Sequence, residues 1–185
     1  MTACAFILLG GLFSWDGVVT SAGMEMLASR LRALPGVSVE TYLWQLRQMP
    51  RCTKDKVALI GYSGGAAHVT WVAKGYNGGP TNWSSSFGER PHIDLLVAYD
   101  PSPRGATFAL DDNVGKAIVY QNSSPMMFGL GGATISGPQV EVVEIAQHHL
   151  LVQTNTKLHD RTVEEVRKLT EAPNDDSSIK GIQRK

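Results

Sequence analysis

The stretch Val57-Ala58-Leu59-Ile60-Gly61-Tyr62-Ser63-Gly64-Gly65 decides the fold of this chain. Its first four residues are apolar without alternation, which is typical of a strand buried on both faces of a parallel sheet. The last five match the pattern G-x-S-x-G, and helical character follows over 64–74. A serine on a sharp turn between a strand and a helix is the arrangement of a nucleophile elbow. Small residues at positions 61 and 65 leave room for close backbone approach.

Outward from this stretch, short apolar runs alternate with segments of helical periodicity. Strands that alternate with helices imply right-handed crossovers and a mostly parallel sheet. We therefore predict an α/β fold, a single three-layer α/β/α domain with a mostly parallel six-stranded sheet. The predicted strands are Ala5–Leu9, Val37–Leu43, Val57–Ile60, Ile93–Tyr99, Lys116–Tyr120 and Val140–Ile145, and the predicted helices cover Met24–Leu31, Gly64–Lys74 and Asp160–Glu171.

The segments between these elements are predicted from Gly, Pro, Asn and Ser content. Loops are expected at 75–92 and 123–138, and a short helix or loop at 45–53. Thr20 or Ser21 is expected to cap the first helix. From Pro173 the sequence is polar and charged, so we predict one domain over 1–172 and a disordered tail over 173–185.

Composition excludes several classes of protein. The 185 residues include 17 basic and 17 acidic side chains, and 43% of residues are hydrophobic against 18% charged, which indicates a globular chain. Without a basic cluster, a nucleic-acid partner is not expected. Two cysteines, Cys4 and Cys52, cannot form a disulfide framework or a four-ligand zinc site, and they are compatible with a reducing compartment. No phosphate-binding motif is present, so no cofactor is expected. The adjacent pair His148-His149 lacks carboxylate or thiolate companions at ligand spacing, so no metal is expected.

The apolar start at Ala3–Phe13 resembles a signal-peptide core but has no Lys or Arg ahead of it, since the first is Arg30. The run is about half as long as a membrane-spanning helix. We therefore interpret it as a buried strand and predict a cytoplasmic protein without an integral membrane segment.

The order of residues narrows the chemistry that Ser63 can perform. A nucleophilic serine needs a histidine base and an orienting acid. All five histidines follow Ser63, whereas chymotrypsin-like and subtilisin-like orders need a histidine upstream. The order that remains is serine, acid, histidine.

With these residues the sequence resembles the α/β-hydrolase superfamily, specifically small serine esterases and lipases without a cap domain. The resemblance covers roughly residues 5–169 and rests on the pentapeptide at 61–65, on Asp100-Pro101 after a strand, and on a histidine after the last strand. It implies a minimal α/β-hydrolase fold with Ser63 as nucleophile, Asp100 as acid and His149 as base. His148 stays an alternative base, because a shift of one residue exchanges the two. Asp111 and Asp112 are fallback acids.

The resemblance also assigns the oxyanion hole and the remaining histidines. It implies that the backbone N–H groups of Gly64 and Leu12 bind the oxyanion, with Phe13 as the alternative to Leu12. It makes His159 a structural residue at a helix start bonded to backbone. His68 and His92 are interpreted as surface residues.

The implied activity is hydrolysis of a carboxylic ester through an acyl-enzyme, on a small-molecule or polymer-linked acyl ester. The alternatives are a thioesterase or acyltransferase with the same triad, and an inactive binding protein on the same fold. Apolar loop residues either line an acyl pocket or pack as ordinary loop residues; they are Phe13, Trp15, Met126, Met127, Phe128 and Leu130. The sequence leaves the oligomeric state unknown.

Overall fold

The structure is a computed structural model that describes residues 1–10, 21–43, 52–74, 91–123 and 130–171. Strands and helices alternate through most of this part of the chain. In chain order the elements are β1 (Ala3–Leu9), α1 (Ala22–Arg32), β2 (Val37–Leu43), β3 (Lys56–Tyr62), α2 (Gly64–Ala73), β4 (Ile93–Tyr99), β5 (Thr107–Ala109), β6 (Val114–Asn122), β7 (Thr134–Ser136), β8 (Val140–Ile145), α3 (His149–Val152) and α4 (Thr156–Thr170).

Six of the strands form one sheet in the order β2-β1-β3-β4-β6-β8, and every neighbouring pair is parallel. The predicted α/β fold with a six-stranded parallel sheet is therefore confirmed. Because all strands run the same way, their carboxyl ends share one edge of the sheet. In open sheets of this kind, ligands bind at that edge.

Apolar residues on the two faces of the sheet pack against separate helical layers. One face packs with Met24, Leu27 and Leu31 of α1 and with Leu158 and Val166 of α4. The opposite face packs with Ala66, Val69 and Val72 of α2. The predicted three-layer arrangement is confirmed for the described residues. The central strands are buried on both sides, which explains their unbroken apolar runs.

Most element bounds agree with the predictions, and the differences have local causes. The bounds of β2, β4 and β8 coincide with those predicted, while β1, β3 and β6 are longer. Helix α4 begins at Thr156 rather than Asp160, because the Asn155 side chain accepts hydrogen bonds from the N–H groups of Lys157 and Leu158. Ser21 precedes α1 as predicted, but its hydroxyl donates to the Gly10 carbonyl instead of capping the helix.

Three short elements were not predicted. The two-stranded sheet of β5 and β7 and the single turn of α3 contain three or four residues each. Elements this short do not contain enough residues to show the periodic spacing of apolar side chains from which strands and helices are predicted. Strand β7 lies inside the predicted loop 123–138. The predictions for 45–51, 75–90 and the tail 173–185 lie outside the described residues.

Cys4 and Cys52 are joined by a disulfide, which the sequence analysis did not predict. Disulfides persist mainly in oxidising compartments, so this bond does not favour a reducing compartment. A cytoplasmic location stays a prediction. Among the described residues, no helix has the length and apolar character needed to cross a bilayer.

Candidate active site

Ser63 lies at the carboxyl edge of the sheet, on the turn between β3 and α2. Its backbone has φ 55° and ψ −121°, a conformation that L residues rarely adopt. Two of its backbone hydrogen bonds join this turn to β4 and to the segment that follows β4. The Ser63 N–H donates to the Tyr99 carbonyl at 2.9 Å, and the Ser63 carbonyl accepts from the Ser102 N–H at 3.2 Å. The strained turn predicted from the pentapeptide is present.

The glycines that flank the serine are required by close packing. A Cβ on Gly61 would lie 2.4 Å from the carbonyl oxygen of Gly65. A Cβ on Gly65 would lie 2.4 Å from the carbonyl oxygen of Leu8 in β1. Helix α2 therefore starts directly against β1 and β3, as the sequence analysis expected.

The structure brings the three predicted triad residues into one hydrogen-bonded chain. The Nε2 of His149 lies 2.9 Å from the Ser63 Oγ, and its Nδ1 lies 2.6 Å from the Asp100 Oδ2. Serine, histidine and aspartate are all buried, with exposed fractions of 3%, 1% and 0%. In this geometry the Ser63 hydroxyl can donate to Nε2 while Nδ1–H donates to the carboxylate.

The carboxylate of Asp100 is held from its other side by backbone. Its Oδ1 accepts from the Gly132 N–H at 2.9 Å and from the Asn122 N–H at 3.3 Å. Asp100 itself has φ 43°, and its own N–H donates to the Tyr120 carbonyl. The Gly132 and Asn122 N–H groups replace hydrogen bonds to water that a buried carboxylate has lost.

The structure distinguishes the two neighbouring histidines. His149 is the first residue of α3 and is buried, whereas His148 precedes the helix and is exposed. The Nδ1 of His148 accepts from the Leu150 N–H at 3.4 Å. Only His149 contacts Ser63 and Asp100.

The other candidate residues take the following places. His92 is exposed as predicted, at the amino end of β4. His68 is 2% exposed, so its assignment to the surface was wrong. The cause is α2, which lies against the sheet and buries nearly all its residues. The Nε2 of His159 lies 2.7 Å from the Gln153 carbonyl, which agrees with the predicted bond to backbone.

The fallback acids Asp111 and Asp112 precede β6, at the edge of the sheet opposite Ser63. The structure does not bring them to the candidate site. No three His, Cys, Asp or Glu side chains within the described ranges are grouped as metal ligands.

Part of the predicted oxyanion hole can be located. Gly64 is the first residue of α2, where backbone N–H groups have no acceptor within the helix, and it directly follows Ser63. Its N–H is thus available beside the nucleophile. Leu12 and Phe13 lie outside the described residues, as do the predicted pocket residues except the partly buried Leu130.

Sequence reasoning missed the residues that surround the triad. Gly132 and Asn122 donate to the Asp100 carboxylate through their backbone N–H groups. Nearly every residue type has such a group, so the sequence does not identify these donors. Gly131 lies so close that a Cβ there would be 2.2 Å from the Asp100 Oδ2. The Gly131-Gly132 pair was a usable signal, because adjacent glycines permit close approach of backbone to a functional group. Tyr62, inside the pentapeptide, contacts His149.

The comparisons with known proteins bear on the fold. No protein-family model matches the sequence. No curated protein matches it either. Among solved structures, the chain is similar to one from work on LipS and LipT, two metagenome-derived lipolytic enzymes. The TM-score is 0.53 at 12% identity, over 90% of this chain and 94% of that one. This likeness supports the α/β architecture.

Proposed function

We propose that this protein is a serine hydrolase that cleaves a carboxylic ester through an acyl-enzyme. The observation that supports this most directly is the buried hydrogen-bond chain from the Ser63 Oγ through the His149 ring to the Asp100 carboxylate. A strained serine at a strand–helix turn with an oriented histidine is an arrangement suited to nucleophilic attack. The fold likeness to a lipolytic enzyme agrees with this proposal.

The first half-reaction makes the acyl-enzyme. The Ser63 Oγ attacks the ester carbonyl carbon while its proton passes to the His149 Nε2. Asp100 accepts the Nδ1–H bond, keeps the ring in the correct tautomer and stabilises its positive charge. The Gly64 N–H, with Leu12 as the second proposed donor, binds the oxyanion. Collapse of the intermediate breaks the ester C–O bond, and the leaving alcohol takes the proton from Nε2.

The second half-reaction restores the enzyme. His149 takes a proton from water, which attacks the acyl carbon that is bonded to the Ser63 Oγ. Collapse of this intermediate releases a carboxylic acid and returns the proton to Ser63. We propose a small-molecule or polymer-linked acyl ester as substrate. Neither half-reaction as written involves a cofactor.

Active-site labelling and matched substitutions test the proposal. Wild-type protein should react with a fluorophosphonate at Ser63 and hydrolyse p-nitrophenyl esters, with the preferred chain length indicating the acyl group. Ser63→Ala should lose labelling and at least about a thousandfold in kcat, because triad members act as a unit. His149→Ala should lose a similar factor.

His148→Ala is the matched control, since it removes the neighbouring ring and only weakens the start of α3. A lost helix cap costs about 1 kcal/mol of stability, so the kcat of His148→Ala should stay within about fivefold of wild type. Failure of the wild-type protein to label and to turn over any ester would favour the binding protein. Turnover of thioesters alone would favour the thioesterase.

A further inference from the structure

The ring of Tyr62 is stacked on the imidazole of His149. The ring centroids are 5.1 Å apart and the planes differ by 27°. The hydroxyl of the same tyrosine donates to the backbone carbonyl of His149 at 3.1 Å. We propose that Tyr62 is a positioning residue for the base His149, an inference that rests on the proposed function. It acts through one ring contact and one backbone hydrogen bond.

The stacking contact supplies a constraint that the triad lacks. The bonds to Ser63 and Asp100 both lie in the imidazole plane, at Nε2 and Nδ1. Two in-plane bonds leave the ring free to rock about the line that joins them. A flat side chain against one face opposes that motion. The hydroxyl adds a second constraint, because it holds the first residue of α3 to the end of β3.

The surroundings of Tyr62 favour this role. The side chain is 4% exposed, and it fits because position 10 is glycine: a Cβ there would lie 2.6 Å from the tyrosine ring. Burial, with the negative charge of Asp100, holds the pKa of the Tyr62 hydroxyl well above its ordinary value. The hydroxyl therefore stays protonated and can donate throughout the range in which a histidine base works.

The contact also strengthens as the reaction proceeds. When His149 takes the proton from Ser63, its ring becomes positively charged. The face of a tyrosine ring attracts a cation more than a neutral group. The ring of Tyr62 therefore favours the charged form that exists in the transition state, so its loss should lower kcat more than it raises KM.

Two substitutions at position 62 separate the ring contact from the hydrogen bond. Tyr62→Phe keeps the ring and loses the hydroxyl, so kcat should fall by no more than about fivefold. Tyr62→Met removes both contacts at similar volume and should lower kcat by about 10- to 100-fold with KM within about twofold. Phe6→Met is the control: Phe6 is equally buried in the opposite core layer and should lower Tm without changing kcat beyond about twofold.

A spectroscopic measurement tests Tyr62 without relying on turnover. The proton in the bond between the His149 Nδ1 and Asp100 should give a downfield NMR resonance in wild type and in Tyr62→Phe, and exchange should broaden or remove it in Tyr62→Met. A missing resonance in wild type, or an unchanged one in Tyr62→Met, would overturn the inference. So would a Tyr62→Met enzyme with wild-type kcat, or a loss in Tyr62→Phe as large as in Tyr62→Met. Absence of ester turnover in every protein would instead overturn the proposed function, and the resonance would still decide the role of Tyr62.

Discussion

At the scale of single residues, the candidate site depends on two side chains whose backbone has positive φ, Ser63 and Asp100. Such conformations cost about 1–3 kcal/mol each and persist only where the surroundings fix them. Here both lie at the carboxyl ends of neighbouring strands. The Ser63 N–H donates a hydrogen bond to a carbonyl of β4, and the Asp100 N–H donates one to a carbonyl of β6. The stability of the central sheet thus holds the serine and the carboxylate in position.

A matched pair of glycines tests how closely the carboxylate is confined. Gly131 and Gly105 both have φ near +70° to +80°, so alanine should cost each about 1–2 kcal/mol of stability. Only at Gly131 would the new Cβ meet Asp100, at 2.2 Å, because nothing lies within 4 Å at Gly105. Gly131→Ala should therefore lower kcat by about 100-fold, whereas Gly105→Ala should keep it within about twofold.

Steady-state kinetics and urea unfolding of the two variants measure both effects. A kcat within about twofold of wild type in Gly131→Ala would mean that the carboxylate tolerates displacement. A loss in Gly105→Ala alone would contradict the role of Gly131.

At the scale of elements, the four-residue helix α3 presents the candidate base and is held at both ends. At its start, the Tyr62 hydroxyl donates a hydrogen bond to the His149 carbonyl. After its last residue, the Gln153 carbonyl accepts from the His159 ring of α4 at 2.7 Å. Helices this short are not stable by themselves, so these tertiary bonds define the position of the turn.

The strands were predictable from sequence, and α3 was not. Strand β4 is a mostly apolar run followed directly by Asp100, so both the strand and the acid could be predicted from the sequence. The bonds to that acid come from residues 22 and 32 positions later, and nothing local marks them. His149 was assigned from residue order and family resemblance. Its helical turn, and the burial of His68 by α2, depend on packing that no single segment specifies.

His159 makes the junction of α3 and α4 sensitive to acid. Burial, with a smaller effect of Arg30, lowers the pKa of His159 below its ordinary value of 6.5. Its Nδ1 is buried and has no hydrogen-bond partner within the described residues. As pH falls, the unfolded chain takes the proton before the folded protein does. The His159 contribution to stability is therefore complete above about pH 6.5 and is lost progressively below it.

The comparison with His159→Gln measures this contribution, because glutamine can keep a donor to the Gln153 carbonyl without titrating. Urea unfolding at several pH values from about 5 to 8 gives the free energy of unfolding of each protein as a function of pH. The two curves should diverge below about pH 6.5, because the wild type should lose more stability there than the variant. Curves that stay parallel over this range would contradict the assignment.

At the scale of the whole molecule, the two edges of the sheet have different roles. The carboxyl edge holds Ser63, Asp100 and the turn with His149. The opposite half holds the disulfide between Cys4, near the start of β1, and Cys52, just ahead of β3. Cys4 pairs with Val57, and from there to Ser63 the chain rises about 20 Å at roughly 3.3 Å per residue. The covalent bond and the candidate site are therefore well separated.

This separation predicts that reduction affects stability and leaves chemistry intact. The bond closes a loop across a sequence separation of 48 residues, and the chain-entropy estimate for such a loop is about 4 kcal/mol of unfolding free energy. Urea unfolding with and without a phosphine reductant should show a loss of this order, while kcat measured below the transition should stay within about twofold. The Cys4→Ala/Cys52→Ala variant should unfold identically in both conditions. Free thiols that react in the folded, air-exposed protein would show that the bond does not form. A loss of kcat on reduction of the still-folded protein would show instead that the two edges of the sheet are coupled.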